Sequence, residues 1–510
     1  MNDSPYSIAA LKRSAVHFLT GKAASALLTL VTLLWLVRLL AVEEYGVYVI
    51  LVAGMELALA ITSFGLPWVA ARYLPEFRLH ASGKLLVHFV WQVIARMGLF
   101  LVAGALLLFM AAPWLMPSLE LAQYTDMARL YLLVLLLEGL GRRIRENILG
   151  SLMQQRQAQI SLVARNLALL LLLLLGVVAA QGVVYLHHVV LAELAASALG
   201  AALALHSLVR HLHVHRDLSG QGGWQPPNWP DMWRVARHMY FSQLVTLTYS
   251  PQVFVFLIQR YLGVEATALF GFLRSLYMQI CHYLPAKLLF GLIRPKLVAS
   301  YVGAGGMGEL THNANLAGKL SLFVLMPLVL FAWLAGGELL NLLSGGKFNQ
   351  AGYYLAGLLL ALIPLSQQQI LATVAVASDN SHLSSWGSSL GMLALPLAYW
   401  LFEADQGLWG PIVAIIVSQI LFNATIIAVL VRTTTYRPDA IGFFKLIAAA
   451  LAGFVLMQSL AMPVHGWSGL LVMAALAGGL FLLAAYFLKP FRVEERARLN
   501  RLLNRKIFIW

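Results

Sequence analysis

Charged side chains are scarce here: only 11% of the 510 residues are Asp, Glu, Lys or Arg, against about 25% in soluble domains. With 60% hydrophobic residues and a mean hydropathy of +0.79, the chain lacks the polar surface that a water-soluble fold requires. Cysteine is nearly missing. Cys281 stands alone, which excludes an intramolecular disulfide and any cysteine-based metal site. Acids are also in deficit, 21 against 35 Lys and Arg, leaving a net charge of +14. Such a surplus raises nucleic acid as a partner. However, the cations flank apolar runs, where they act as topology signals, so no nucleic acid is expected.

What is present are apolar runs of about 20 residues, the length that crosses a ~30 Å hydrocarbon layer as a helix. Lipid offers no water to satisfy backbone groups, so each run is expected to be helical. Fourteen spans are predicted, near 14–38, 47–70, 86–112, 127–149, 160–180, 184–209, 238–259, 267–293, 318–336, 352–377, 383–402, 408–431, 440–461 and 467–488. The first run is too long for a signal-peptide core and has no small-residue cleavage site after it, so it is read as a retained span. Loops on the side of the termini carry 25 Lys and Arg, whereas the opposite loops hold only Arg38, Arg260 and Lys347. The positive-inside rule then puts both termini in the cytoplasm.

The longest hydrophilic break, 210–237, contains RDLSGQGGWQPPNWPD and reads as a linker. It separates an N-terminal six-helix lobe (1–209) from a C-terminal one (238–432), with two further helices in 433–488 and a basic tail in 489–510. The tail reads as a short helix anchored on anionic lipid. RLLAVE at 38–43 and RYLGVE at 260–265 each close the first helix of a lobe. That placement implies a parallel internal repeat, an arrangement that puts a substrate site between its halves.

The stretch LVRLLAVEEYGVYVILVAGMELALAITSFGLPWVAARYLPE resembles the opening of the polysaccharide repeat-unit flippases of the multidrug/oligosaccharidyl-lipid/polysaccharide exporter superfamily. The residues carrying the resemblance are Arg38, Glu43, Glu44, Tyr45, Gly46 and Tyr48, then Gly65, then the Arg72 to Glu76 turn. GGKFNQAG at 345–352 is similar to the loop after the family's ninth helix. The resemblance implies an all-α polytopic membrane protein of about 14 helices, two six-helix lobes in a V plus two C-terminal helices. It implies a flippase that carries undecaprenyl-diphosphate-linked oligosaccharides across the bacterial inner membrane for O-antigen, exopolysaccharide or similar glycan synthesis. Expected partners are the lipid-linked glycan, membrane lipids, a polysaccharide polymerase and other assembly proteins. No cofactor is expected, with coupling to a proton or sodium gradient left open. Relatives often carry an acid in the middle of helix seven, where this chain has Gln252.

Ionisable groups at membrane depth are costly and mark functional positions. The candidates for a substrate cavity are Lys22, Arg96, Arg274 and Lys287, with Gln252 and His282. His282 has interhelical packing as its alternative. The C-terminal half places Arg274 and Lys287 at depth but no carboxylate, a polarity suited to a diphosphate. Glu56, Glu138 and Glu193 are the deep acids, coupling or structural; Glu138 is expected to pair with Arg142 at i,i+4. Arg165 and Lys445 lie near span ends and are expected to snorkel to the interface. His187, His188 and the HLHVH run at 211–215 have metal-like spacing, yet the run sits at a helix end beside Arg210, and no metal is expected. The loops are too short for the catalytic apparatus of a membrane glycosyltransferase, so an enzyme is not expected. The alternatives are a drug/cation antiporter of the same superfamily and a peptidoglycan-precursor flippase.

Overall fold

A computed structural model describes residues 8–179, 181–220, 224–284, 306–349, 351–378, 380, 382–460 and 464–503. These residues are helical, with no strand among them. The helices are α1 (Ile8–Leu39), α2 (Val42–Ile61), α3 (Leu66–His80), α4 (Gly83–Ser118), α5 (Thr125–Arg143), α6 (Gln155–Ala179), α7 (Leu186–Val214), α8 (Trp229–Leu247) and α9 (Pro251–Tyr283). There follow α10 (Gly306–Ser344), α11 (Gly352–Ala377), α12 (His382–Gly391), α13 (Ala394–Glu403), α14 (Trp409–Thr433), α15 (Ala440–Leu460), α16 (Gly466–Leu488) and α17 (Val493–Leu503). Among the described residues, eleven stretches are long and apolar enough to cross a membrane. One of them, Trp229–Cys281, holds two passes, because Gly263 turns the chain back at φ 83°. Two more passes escape the hydropathy measure: α5, whose apolar run is broken by charges, and the short pair α12–α13. The chain is a multi-pass membrane protein.

The chain divides into two compact units. The first holds residues up to Leu247 together with Val255–Ala268, so α8 and the Gly263 turn pack with the N-terminal helices. The second holds Thr248–Phe254 and everything from Leu269 onward.

In the first unit, both repeated hexapeptides fall on helix-to-helix turns. RLLAVE bridges α1 and α2, and RYLGVE contains Gly263. The two stretches also abut: a Cβ on Gly46 would lie 2.5 Å from the Val264 carbonyl oxygen. Gly65 is likewise required twice over, by its φ of 74° and by the Ala236 carbonyl 2.7 Å from where a Cβ would stand. The core at one end joins Leu74 and Phe77 of α3, Phe89 and Val93 of α4, and Met232 and Ala236 of α8. The described residues of 210–237 are pinned there. Gly83 N–H donates to the Leu218 carbonyl, and Trp224 packs edge-on against Phe77. On α4, apolar side chains from Leu99 to Leu115 are exposed, marking the part that meets lipid.

The second unit is organised around α10, which packs with α11, α15 and α16. Near one end of α10, Lys319 is fully buried and donates to Asp439 at 2.7 Å and to Glu495. Nineteen residues on, Glu338 accepts from the Gly466 N–H at 2.8 Å, capping the start of α16. Nineteen residues of helix rise about 28 Å, one hydrocarbon thickness, so α10 is bolted to its neighbours at both membrane boundaries. The tail is the short helix expected, but its Phe491, Glu495 and Leu499 are buried against α10 in place of a simple lipid anchor.

Candidate functional site

The buried polar site of the first unit grows from Glu193 on α7. Its side chain is 5% exposed, so both oxygens need partners from the protein. Tyr131 OH of α5 donates to Oε2 at 2.7 Å, and Tyr48 OH of α2 donates to Oε1 at 3.3 Å. Arg165 Nη2 of α6 completes the set at 3.3 Å from Oε1. Arg165 also turns its Nε to Glu138 Oε2 at 3.4 Å, so one guanidinium bridges both acids. Glu138 Oε1 takes Arg145 Nη2 at 2.7 Å and Arg142 Nε at 3.8 Å. Beside Arg165, Asn166 Nδ2 donates to Ser25 Oγ at 2.7 Å, tying α1 to the group.

Local sequence makes this arrangement physically feasible. Gly141 and Gly200 leave room for the guanidinia: a Cβ on Gly200 would sit 2.8 Å from Arg165 Cβ, and one on Gly141 3.0 Å from Arg145 Nη1. Side chains on a helix lean toward its N-terminus, which lets Arg145 reach back two turns to Glu138. The chain continues from α5 as a π-helical turn, Ile144–Leu149. Next to it Arg143 is buried and donates to Thr62 Oγ1 at 2.8 Å and to the Leu59 and Met97 carbonyls. It thus satisfies the Leu59 carbonyl at the end of α2, where the helix leaves carbonyls open, and reaches across to α4 through Met97. Glu138 and Glu193 offset Arg145 and Arg165, with Arg142 at the rim. The group binds five helices together and joins two of the deep acids, Glu138 and Glu193, in one cluster.

The predicted positions are distributed as follows. Glu138 and Glu193 meet through Arg165, which does not snorkel as expected but is buried between them. The expected Glu138–Arg142 pair exists, although Arg145 is the closer partner. Glu56 is half-buried on α2. Lys22 Nζ lies over the Phe18 ring, 5.2 Å from its centre. Arg96 stacks on Trp229, its guanidinium 3.7 Å from the ring centre. Arg274 is buried in the second unit, 5% exposed, and Gln252 is half-buried in the same unit. The His282 side chain and Lys287 lie outside the described residues. Lys445, expected to snorkel, reaches the Lys489 carbonyl at 3.5 Å. Among the described residues no group of three His, Cys, Asp or Glu is placed to hold a metal; His211 and His215 face each other as a pair with ring centres 4.1 Å apart.

Three motif residues acquire physical roles. Gly46 admits Val264, Tyr48 binds Glu193, and Glu43 accepts from Tyr124 OH at 3.1 Å and Gln123 Nε2 at 3.2 Å. Residues 11–286, more than half of the chain, match the family described as polysaccharide biosynthesis protein. The chain belongs to that family. Within this polysaccharide biosynthesis family member, the fold is similar to that of the lipid II flippase MurJ in an inward closed conformation, with TM-score 0.67, 13% identity, and coverage of 96% of this chain and 100% of that one. A multidrug resistance MATE family transporter of the MOP superfamily in an inward-facing conformation matches with TM-score 0.55 and 12% identity over 82% of this chain and 98% of that one. A MOP superfamily transporter from Pyrococcus furiosus matches with TM-score 0.52 and 14% identity over 82% of this chain and 94% of that one. No curated protein matches the chain. These likenesses show a MOP-type transporter fold.

Proposed function

We propose that this protein is a flippase that moves undecaprenyl-diphosphate-linked oligosaccharides from the cytoplasmic to the periplasmic leaflet of the bacterial inner membrane, for O-antigen, exopolysaccharide or similar synthesis. The observation that carries the reading is the family match over residues 11–286. The likeness to a lipid II flippase over 96% of this chain supports it, since the MATE likenesses reach only 82%. Both termini and the 210–237 segment face the cytoplasm on this reading, as the Lys and Arg asymmetry requires. The lobes are 1–209 and 238–432, with α15 and α16 as additional helices. Arg274 and Lys22 serve the diphosphate, a role suited to guanidinium and ammonium donors. Transport needs no cofactor and no catalytic step; a proton or sodium gradient drives it, and a polysaccharide polymerase takes the product.

Proteoliposomes with defined lipid-linked glycans test the reading. Leaflet-selective enzymatic labelling should report movement of the undecaprenyl-diphosphate glycan. Movement of an organic cation without movement of any glycolipid would instead establish a cation antiporter. Movement of lipid II alone would establish a peptidoglycan-precursor flippase. Reporter fusions at Gln221 and at the C-terminus should both report the cytoplasm.

A further inference from the structure

Arg96 stands out among the deep cations for what surrounds it. It belongs to a polar stripe on α4, His88, Gln92 and Arg96, spaced four residues apart on an otherwise apolar helix. Trp229, delivered by the PPNWP segment at the start of α8, lies across this stripe. Its indole Nε1–H donates to Gln92 Oε1 at 2.9 Å, and its ring packs on Phe89 with centres 5.7 Å apart. The ring is thereby fixed, and the Arg96 guanidinium rests on its face at 3.7 Å. One Arg96 donor goes to the Gln92 carbonyl at 3.2 Å. Arginine has five donors in its plane, so stacking leaves the remaining edge available. No carboxylate among the described residues lies in ion-pair range of Arg96, and the side chain is only half-buried.

The depth of this assembly matters. The exposed apolar band of α4 begins at Leu99, one turn past Arg96. Trp91, 42% exposed, is placed as an interfacial aromatic five residues nearer the start of α4, about 7.5 Å along its axis. Arg96 therefore sits between the two, just inside the membrane boundary, and its long side chain leans back along the helix toward the height of a lipid's phosphate. The Gln92 amide one turn nearer the aqueous end, and exposed His88 two turns nearer, continue the polar surface outward from it.

We propose that Arg96, held by Trp229, is the loading site at which the diphosphate of the lipid-linked substrate first docks from the cytoplasmic leaflet. This rests on the flippase reading and adds to it a position outside the deep cavity cations. Arg96 donates to the phosphate oxygens through its free edge, and the sugar extends toward Gln92 and His88. Trp229 acts as a positioning residue: it holds the guanidinium plane and keeps Arg96 from turning into the lipid.

Native mass spectrometry of the full-length protein, titrated separately with undecaprenyl diphosphate and with phosphatidylglycerol, tests the proposal. Arg96→Gln should weaken undecaprenyl diphosphate binding at least ~10-fold, the loss of a charged hydrogen-bonding partner. Arg96→Lys should retain part of the binding, since the charge survives without the planar fork. Trp229→Phe should weaken it less than Arg96→Gln, because a smaller ring still supports the stack. Phosphatidylglycerol binding should not change. Folded Arg96→Gln or Arg96→Lys protein that binds undecaprenyl diphosphate like the parent overturns the site. An equal loss of phosphatidylglycerol overturns it too, as a general contact with anionic lipid. A parent that neither binds undecaprenyl diphosphate nor moves its glycans overturns the flippase reading itself, whereas a transporting parent with indifferent Arg96 variants overturns only the docking site.

Discussion

Lys319 and Glu495 lie 176 residues apart in the chain, and the lysine donates to the carboxylate in a fully buried setting that also contains Asp439. Removing the cation alone would leave two buried carboxylates with only the exposed Arg492, 3.3 Å from Asp439, as compensating charge. Breaking such a group by deleting one partner costs about 3–5 kcal/mol, whereas replacing the whole group by neutral side chains is often tolerated. Lys319→Met is thus expected to lower the thermal midpoint of the detergent-solubilised protein sharply. The triple change Lys319→Met, Asp439→Asn, Glu495→Gln should recover most of it. A triple variant as unstable as the single one would refute the electrostatic account.

The same clamp has a defined pH response. Burial pushes the Asp439 carboxyl up, but the Lys319 hydrogen bond and charge outweigh it and hold the group below its ordinary value. Stability from a depressed carboxyl is present above the unfolded value of about 3.8 and is lost as pH falls through the folded one. Protease release of the 489–503 segment should therefore be flat from about pH 8 to 5 and rise only below about pH 4. A rise already at pH 6 would contradict this.

The Glu193 cluster predicts graded effects. Tyr131→Phe removes one 2.7 Å hydrogen bond to a carboxylate and should cost about 1.5–3 kcal/mol. Arg165→Met should cost more, since it strips a cation from both Glu138 and Glu193. The order of the two midpoints in a thermal melt checks the assignment of Arg165 as the bridge.

Gly65→Ala combines a left-handed backbone with a carbonyl in the way of the added methyl. The backbone term alone costs about 1–2 kcal/mol. Gly98→Ala, in α4 with nothing within 4 Å of the added atom, should by contrast be neutral or slightly stabilising. Comparing the two variants by thermal unfolding separates the local conflict from a general intolerance of mutation.

Arg274 is a buried cation on α9, and the proposed function gives it the diphosphate. Arg274→Ala should abolish glycan export at near-normal protein abundance, and Arg274→Lys should keep part of it. Normal export by the alanine variant would remove Arg274 from the substrate path.

Hydropathy made most of the helices legible because lipid imposes length and apolarity on each crossing. The span near 127–149 is legible although Glu138, Arg142, Arg143 and Arg145 interrupt its apolar run, and of these charges Glu138, Arg143 and Arg145 are what the first unit buries. The deep acids Glu138 and Glu193 could be picked out one at a time. Their joining by Arg165 could not, because the partners are brought together by the packing of α5, α6 and α7, and no spacing rule encodes that. The i,i+4 rule favoured Arg142 over Arg145, although the long arginine leaning back along the helix makes the shorter contact. Lys319 stands at the start of the span near 318–336, where a cation reads as a topology signal; its acids arrive from 120 and 176 positions away.

The segment 210–237 is the obvious cut point for building chimeras between relatives, being the longest hydrophilic stretch. Its attachment makes it a poor one. With Leu218 accepting from Gly83 and Trp224 seated on Phe77, a graft there would carry half of an interface into a foreign partner. The break between α8 and α9 at 248–250 is no cleaner, because Val255–Ala268 beyond it packs with the first compact unit, with Gly46 against Val264. A hybrid that keeps each packed unit whole must carry Val255–Ala268 with the first unit and Thr248–Phe254 with the second, so it takes three junctions where a simple exchange of halves takes one.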